Sequence, residues 1–375
     1  MPITRRQALV SAGAFAAAST LPLEGRTRLV TSNDVNAETS AEPVCLTDFE
    51  PLAKAKMQSM AWEYVNAGAG DEITVRWNKE AYQRIRLKPH VLVDVSHLDT
   101  HVSLFGQEQP FPILLAPAAA QKLVHPDGEL GTARGAAAAH ATMVLSSFST
   151  ASLEDVSATT KSPLWFQLYA QTDHSFAREL VRRVEAAGYR ALCLTVDAAV
   201  TGARNREARA NVTLPPSPNL EVMKGADPAL SWKDVEWLCS FAKIPLLLKG
   251  VLNPEDADRA VKAGVAGIIV SNHGGRNFDT VPATIDALPL VAEKVAGRVP
   301  VLVDGGIRRG TDVLKALAFG ANAVLIGRPY LYGLGAAGEA GVTRVLNILQ
   351  HEFQLAMALT GRTNIASIDR SAIWS

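Results

Sequence analysis

An α/β fold, specifically a TIM (β/α)8 barrel carrying an N-terminal helical extension, is what this sequence predicts, and three observations predict it. From Pro110 onward, eight short apolar, β-rich runs recur: "FPILLAPA", "ATMVLSS", "PLWFQLYA", "RALCLTVDA", "IPLLLKG", "AGIIVSN", "VPVLVDGG" and "NAVLIGRP". Between them lie segments with helical spacing, among them "SFARELVRRVEAAG", "NPEDADRAVKAG", "TIDALPLVAEKVAG" and "TDVLKALAFG", several closing on a glycine stop. Eight such units fit the roughly 250 residues that this barrel usually takes. The chain has 375 residues and 48% hydrophobic content, enough to bury one core of that size. A doubly wound open sheet is the rival, but no strand here opens into a G-x-G-x-x-G turn.

The elements follow in order. Residues 1–42 read as a leader and a polar linker. Arg5 and Arg6 precede an alanine-rich stretch too short and too weakly apolar to span a membrane, in the manner of a twin-arginine export signal, although Ala8 and Val10 depart from the preferred flanking residues. That predicts an exported, periplasmic protein; the alternative is a cytoplasmic one with an ordinary N-terminal tail. Residues 43–109 form an extension expected to pack on the barrel, helical and hairpin-like, with "LAKAKMQSMAWEYVNAG" as its clearest helix. The barrel itself takes residues 110–375.

Charge and cysteine content narrow the partners. Lys plus Arg and Asp plus Glu number 37 each, so no net field recommends nucleic acid or an acidic membrane surface. Cys45, Cys193 and Cys239 are scattered and odd in number, which makes neither a disulfide framework nor a zinc pattern, and no metal site is expected. Cys193, inside "ALCLTV", reads as a small buried apolar residue.

Reactive groups in such barrels sit at the C-terminal ends of strands. "DGGIRRG" after the seventh run and "GRP" after the eighth put flexible glycine backbone beside Arg308 and Arg328, which suits a phosphate; each alone would also pass for a tight turn with a solvated arginine. Lys249 emerges from "PLLLKG" toward the barrel mouth, either to balance charge on an electron-rich cofactor, to form a Schiff base, or merely to reach water from a strand end. Ser146, Gln167 and Thr195 offer hydrogen bonds to a heterocycle or cap local turns.

Six stretches, "APAAAQKLVHPDGE", "WFQLYAQTD", "LTVDAAVTGAR", "LLLKGV", "SNHGGRNFD" and "VDGGIRRGTDVLKALAFGANAVLIGRP", together resemble the FMN-dependent 2-hydroxy acid oxidases and dehydrogenases, the family of glycolate and lactate oxidases. The resemblance runs in order from Cys45 to Ser375. It implies that His273 is the base, that Asp197 pairs with it, and that Arg204 and Arg276 grip the substrate carboxylate. It further implies that Tyr64 and Tyr169 reach the substrate. For FMN it implies Pro117, Ala118 and Ala119 against one face of the ring. Ser146, Gln167, Thr195, Lys249 and Ser271 would bond its edges or ribityl chain, and Asp304, Gly305, Gly306, Arg308, Gly327 and Arg328 the ribityl and phosphate. The residue chemistry agrees: a histidine titrates near neutrality, a planar guanidinium grips a carboxylate through paired bonds, and an acid orients the base.

Four positions depart from the family's commonest pattern: Phe148 for tryptophan, Ala120 for methionine, Thr201 for leucine and Ala199 for proline. Phe148 and Thr201 would flank the substrate side chain. "NVTLPPSPNLEVMKGADPAL" lacks the hydrophobic insertion of membrane-attached members, which predicts no membrane insertion. The expected activity is oxidation of a small L-2-hydroxy acid, with the flavin reoxidised by O2 to give H2O2 or, alternatively, by a quinone or cytochrome, in a homotetramer. The competing classes are a non-redox flavin- or phosphate-binding barrel isomerase, which has no need of two carboxylate-gripping arginines, and a flavin-binding protein without catalysis.

Overall fold

The computed structural model describes residues 42–170, 173–220 and 227–374; the leader of residues 1–42 lies outside them but for Glu42. Eight parallel strands close into a barrel: β3 (Ile113–Leu115), β4 (Met143–Ser146), β5 (Leu164–Leu168), β6 (Leu192–Thr195), β7 (Leu246–Lys249), β8 (Gly267–Val270), β9 (Val301–Asp304) and β10 (Ala323–Ile326), with β10 pairing β3 to complete the ring. Each predicted apolar run supplies one strand. The runs are apolar throughout, rather than alternating, because both faces are covered: Leu114, Val144, Trp165, Cys193, Leu247, Ile269, Leu302 and Leu325 fill the lumen, while their neighbours face the helices. Cys193 is fully buried there, as its context predicts.

The four quoted helical segments form α6 (His174–Ala186), α9 (Pro254–Lys262), α10 (Thr284–Val295) and α11 (Gly310–Ala318). In α6 the buried residues Ala177, Leu180, Val181 and Val184 follow the i, i+3, i+4, i+7 spacing, and the Asp173 carboxylate accepts from Ser175 N at its start. Helix α9 begins on the Asn253 side chain with Pro254 in its first turn, and the chain leaves it through Gly264 at φ +90°. The remaining helices after β3, β4, β6 and β10 are α4 (Gly128–Ala138), α5 (Leu153–Ala158), α7 (Asn205–Arg209), α8 (Trp232–Phe241) and α12 (Arg328–Thr360), the last interrupted at Ala337 and Gly338.

The extension holds α1 (Phe49–Lys56), α2 (Ser59–Asn66), α3 (Ile73–Arg84) and an antiparallel hairpin of β1 (Val102–Leu104) and β2 (Gln107–Gln109). The single helix expected over residues 52–68 is therefore two. Met57 and Gln58 are both extended, with ψ near 145°, which turns the chain and lets Met57 bury against Gly335. The hairpin turns on Phe105 and Gly106, both at positive φ, as a two-residue connection requires. It closes the N-terminal end of the barrel: Leu104 joins the luminal cluster, the Phe105 ring meets Trp165 edge-on at 5.4 Å, and Trp165 Nε1 donates to Gln107 Oε1 at 3.2 Å. Among the described residues, no helix is long and apolar enough to cross a membrane.

Candidate active site

The C-terminal strand ends open into a cavity of about 550 Å³. Its inner wall is a ladder across adjacent strands: Ser146 Oγ donates to Gln167 Oε1 at 3.0 Å, and Gln167 Nε2 donates to Thr195 Oγ1 at 2.9 Å. Parallel registry makes this ladder, since Ser146 pairs with Gln167 at the ends of β4 and β5. Next along, Lys249 Nζ donates to Ser271 Oγ at 3.0 Å and lies 3.3 Å from Asp304 Oδ2. Burial alone would depress the Lys249 ammonium, but the Asp304 and Asp197 carboxylates outweigh it and hold its pKa above the usual lysine value.

The stretch "SNHGGRNFD" carries the centre of the site. His273 Nδ1 stands 3.0 Å from Asp197 Oδ1, and Nε2 lies 3.4 Å from the Tyr169 hydroxyl. A carboxylate only accepts, so Nδ1 bears the proton and Nε2 presents its lone pair toward Tyr169 and the cavity. Burial lowers the His273 pKa below 6.5; Asp197 opposes that and Lys249 reinforces it. For Asp197, burial pushes the other way, but the charge and hydrogen bond of His273, with Lys249, hold the carboxyl below its ordinary value. The His273 backbone itself sits at φ +57°, with Gly274 and Gly275 also positive. Gly275 has to be glycine because a Cβ there would meet Val75 N at 2.8 Å. At the end of the stretch Asp279 accepts from Asp71 N and Thr74 N at 2.9 and 2.8 Å, capping α3. The motif therefore builds the base and clamps the extension over it.

Arg276 donates through Nη1 to Tyr64 O and Ala67 O, at 2.7 and 2.8 Å, and through Nη2 to Glu207 Oε1 at 2.8 Å. Its guanidinium carbon lies 5.1 Å from the Tyr64 ring centroid. Arg204 donates from Nε to Arg276 O and from Nη2 to Asn277 Oδ1, at 3.0 and 2.9 Å, with Nη1 3.4 Å from Glu207 Oε1. Phe148 meets Tyr169 at 4.9 Å, and both line the cavity with Thr201.

Around this floor, Pro117, Ala118, Ala119, Gly305, Gly306, Arg308, Gly327 and Arg328 line the cavity together with Tyr64, Tyr169, Arg204, His273 and Arg276. Two expected residues lie behind the wall. Ser271 is fully buried, its hydroxyl taken by Lys249 and by the backbone N–H of His273, and Asp197 stands behind the imidazole. Ala120 is fully buried outside the lining. Arg328 is more engaged than expected: it donates to Val65 O, Gly274 O and Ala67 O at 3.1, 2.9 and 3.1 Å, and so caps the carbonyl end of α2 jointly with Arg276. Burial, with Arg276 and Arg308 nearby, lowers its pKa to about 10.

Five participants were not singled out in the sequence. Asn78 exchanges two side-chain hydrogen bonds with Asn272, at 2.9 and 2.8 Å, tying α3 to the histidine loop. Lys79 lines the cavity beside Arg308. Asn277 orients Arg204, and Glu207 meets both arginines. Gly250 leaves room for Asp197, whose Cβ would lie 2.6 Å from any Cβ added there. Asn277 and Gly250 stood inside quoted motifs; Asn78 and Lys79, on a helix remote in sequence, carried no local signal.

The profile of the FMN-dependent dehydrogenase family matches residues 53–375. The chain belongs to that family. Among curated relatives, the L-lactate oxidase of Nostoc sp. is 48% identical over 357 residues, covering 88% of this chain and 98% of the relative. A peroxisomal (S)-2-hydroxy-acid oxidase of Oryza sativa subsp. japonica is 47% identical over 350 residues, covering 88% and 96%. Of solved structures, mandelate oxidase with (S)-2-phenylpropionate superposes with a TM-score of 0.84 at 38% identity, covering 88% of this chain and 98% of the other. The protein is thus an enzyme of the FMN-dependent 2-hydroxy acid oxidase family.

The residues present fit FMN. Asp304 Oδ1 is buried at the cavity with no hydrogen-bond partner among the described residues, and a polyol hydroxyl would satisfy it. Gly305 and Gly306, at φ +94° and +87°, leave backbone open beside Arg308, and a Cβ on Gly306 would strike Asn78 O at 1.9 Å. Five cations line the cavity, Lys79 beside Arg308, Arg204 and Arg276 beside His273, and Arg328 sharing the Ala67 carbonyl with Arg276, which suits a phosphate-bearing cofactor and a carboxylate together.

Proposed function

We propose that the protein oxidises a small L-2-hydroxy acid to the corresponding 2-oxo acid and passes the two electrons to O2, giving H2O2. The observation that carries this reading is the convergence, in one cavity, of an Asp197-braced imidazole and two arginines. Arg204 and Arg276 bind the carboxylate by charge-assisted bonds and thereby fix the hydroxyl-bearing carbon. Tyr169 and His273 face the hydroxyl, and His273 Nε2 accepts a proton as the C2 hydrogen leaves. The new imidazolium is stabilised by Asp197, which remains ionised. Lys249 and the Ser146, Gln167 and Thr195 ladder would hold the cofactor ring, with Asp304, Gly305, Gly306, Arg308 and Gly327 on its ribityl phosphate. When bound, FMN supplies the two-electron acceptor.

Anaerobic mixing with glycolate, lactate, longer aliphatic and aromatic 2-hydroxy acids tests this. Bleaching of the flavin by at least one acid, and stoichiometric H2O2 on readmitting O2, are expected. No bleaching by any acid would refute the catalytic reading; bleaching with reoxidation only by a quinone or cytochrome would replace the oxidase with a dehydrogenase. The twin-arginine pattern supports export, to be checked by fractionating cells that express the chain with Arg5→Lys and Arg6→Lys. Assembly as a homotetramer is supported by the family resemblance and checked by light scattering.

A further inference from the structure

We infer that Glu207 is a built-in competitor for the carboxylate clamp, a residue that weakens the grip of Arg204 and Arg276 on carboxylates so that the acid product leaves. This rests on the reading of those two arginines as the substrate carboxylate site. The Glu207 carboxylate accepts from Arg276 Nη2 at 2.8 Å and lies 3.4 Å from Arg204 Nη1, so one acid spans both guanidinium groups. All three side chains are at least four-fifths buried, where a charge partner is screened little.

The orientation of the arginines has other sources. Arg276 Nη1 is tied to the Tyr64 and Ala67 carbonyls, and Arg204 to Arg276 O and the Asn277 amide oxygen. These acceptors are neutral, so they aim the guanidinium groups without cancelling their charge. Among the described residues, Glu207 is the carboxylate that contacts both guanidinium groups, and it reduces the pair from two positive charges to a net one. It also occupies the Nη2 edge of Arg276, the edge left after Nη1 has been taken by backbone. A substrate or product carboxylate must share that edge with Glu207. Tight binding of substrate and product alike does not raise turnover, whereas release of a carboxylate product from two uncompensated buried arginines would be slow. Glu207 is a positioning residue in the sense that it acts through the arginines and sets their affinity.

The test is the binding of pyruvate and acetate to the FMN-loaded oxidised enzyme, followed by perturbation of the flavin spectrum, in wild type, Glu207→Gln and Glu207→Asp. For Glu207→Gln, Kd for both anions should fall about tenfold, equivalent to about 1.4 kcal/mol, and depend more steeply on ionic strength. Glu207→Asp, whose carboxylate is withdrawn by one methylene, should fall between. A KM that drops with kcat falling, as product release slows, is the expected kinetic split. An unchanged or raised Kd in Glu207→Gln, at normal flavin content, would overturn the inference, because a merely structural residue weakens binding when removed. Should Glu207→Gln not fold, a Kd in Glu207→Asp equal to or above that of wild type would overturn it equally. If wild type itself binds neither anion, the carboxylate-site reading fails first.

Discussion

The two ends of the barrel are built from the same eight strands yet obey opposite rules. At the N-terminal end the hairpin inserts Leu104 and Phe105 against Trp165, Ala191 and Gly267, the packing is mostly apolar, Trp165 Nε1 is bonded to Gln107, Gln109 Nε2 is a buried exception with no partner among the described residues, and Gly267 leaves room for the Phe105 ring. At the C-terminal end Lys249 and Asp304 are buried and Asp197, His273 and Arg276 are partly buried near them, and Asp304 Oδ1 and Asp197 Oδ2 have no hydrogen-bond partner among the described residues. Buried apolar contacts stabilise wherever they occur, whereas buried charges cost free energy unless paired. One end therefore contributes stability and the other spends part of it to hold groups in reactive states.

If that division is right, damage to each end should register on a different measurement. The largest effect is expected for His273→Gln, which should keep FMN bound while anaerobic reduction slows by about 10² to 10⁴; a normal reduction rate in stopped flow would remove the imidazole from its role. At the closed end, Trp165→Ala should cost about 3–5 kcal/mol in denaturant titration while the reduction rate of the folded fraction stays close to wild type. A large kinetic defect there would mean that the two ends are coupled. Arg276→Lys should raise KM and lower kcat/KM by roughly tenfold to a hundredfold, the range for losing one charge-assisted bond, and unchanged kinetics would make that arginine structural.

The mildest probe is pH. His273 is competent when neutral, and its folded pKa is depressed by burial, so reduction should be complete above that pKa and decline as pH falls through it. The midpoint of kcat/KM is expected below the ordinary value of 6.5. A midpoint above 6.5 would mean that Asp197 outweighs burial. The same depression implies that the folded state takes up its proton later than the unfolded chain. Its stability contribution from this group is therefore intact above the unfolded pKa and lost as pH drops through and below it.

Much of the barrel and of the site is legible in the sequence. Lumen-filling runs such as "PLLLK" and "VPVLVD" announce themselves because a strand buried on both faces has no polar alternation. Glycine stops and the Asn253 and Asp173 caps mark helix ends locally, for the same reason that they work locally: each satisfies a backbone group within four residues. Helix limits failed at Met57, where no glycine or proline signals the break and the burial of one methionine against Gly335 decides it. Among site residues, His273, Asp197 and the two arginines carried motif signals, and the structure brings them together, His273 and both arginines lining the cavity with Asp197 behind the imidazole. Ser271, expected at the cofactor, is fully buried outside the cavity lining, its hydroxyl held between Lys249 and the His273 backbone N–H.

Composition and pattern alone determined that this chain closes a parallel barrel with its polar residues at the strand ends, since those properties follow from which side chains shun water and how they repeat. Tertiary structure decided which distant residues complete the site. Asn78 reaches Asn272 across 194 positions, and Tyr64 and Ala67 offer their carbonyls to Arg276 from more than 200 positions away. Likewise the rotation of Glu207 toward both arginines depends on where the short α7 is set down against the histidine loop. Such contacts rest on hydrogen-bond geometry a few ångströms in range, which exists only once the packed barrel has brought the partners together.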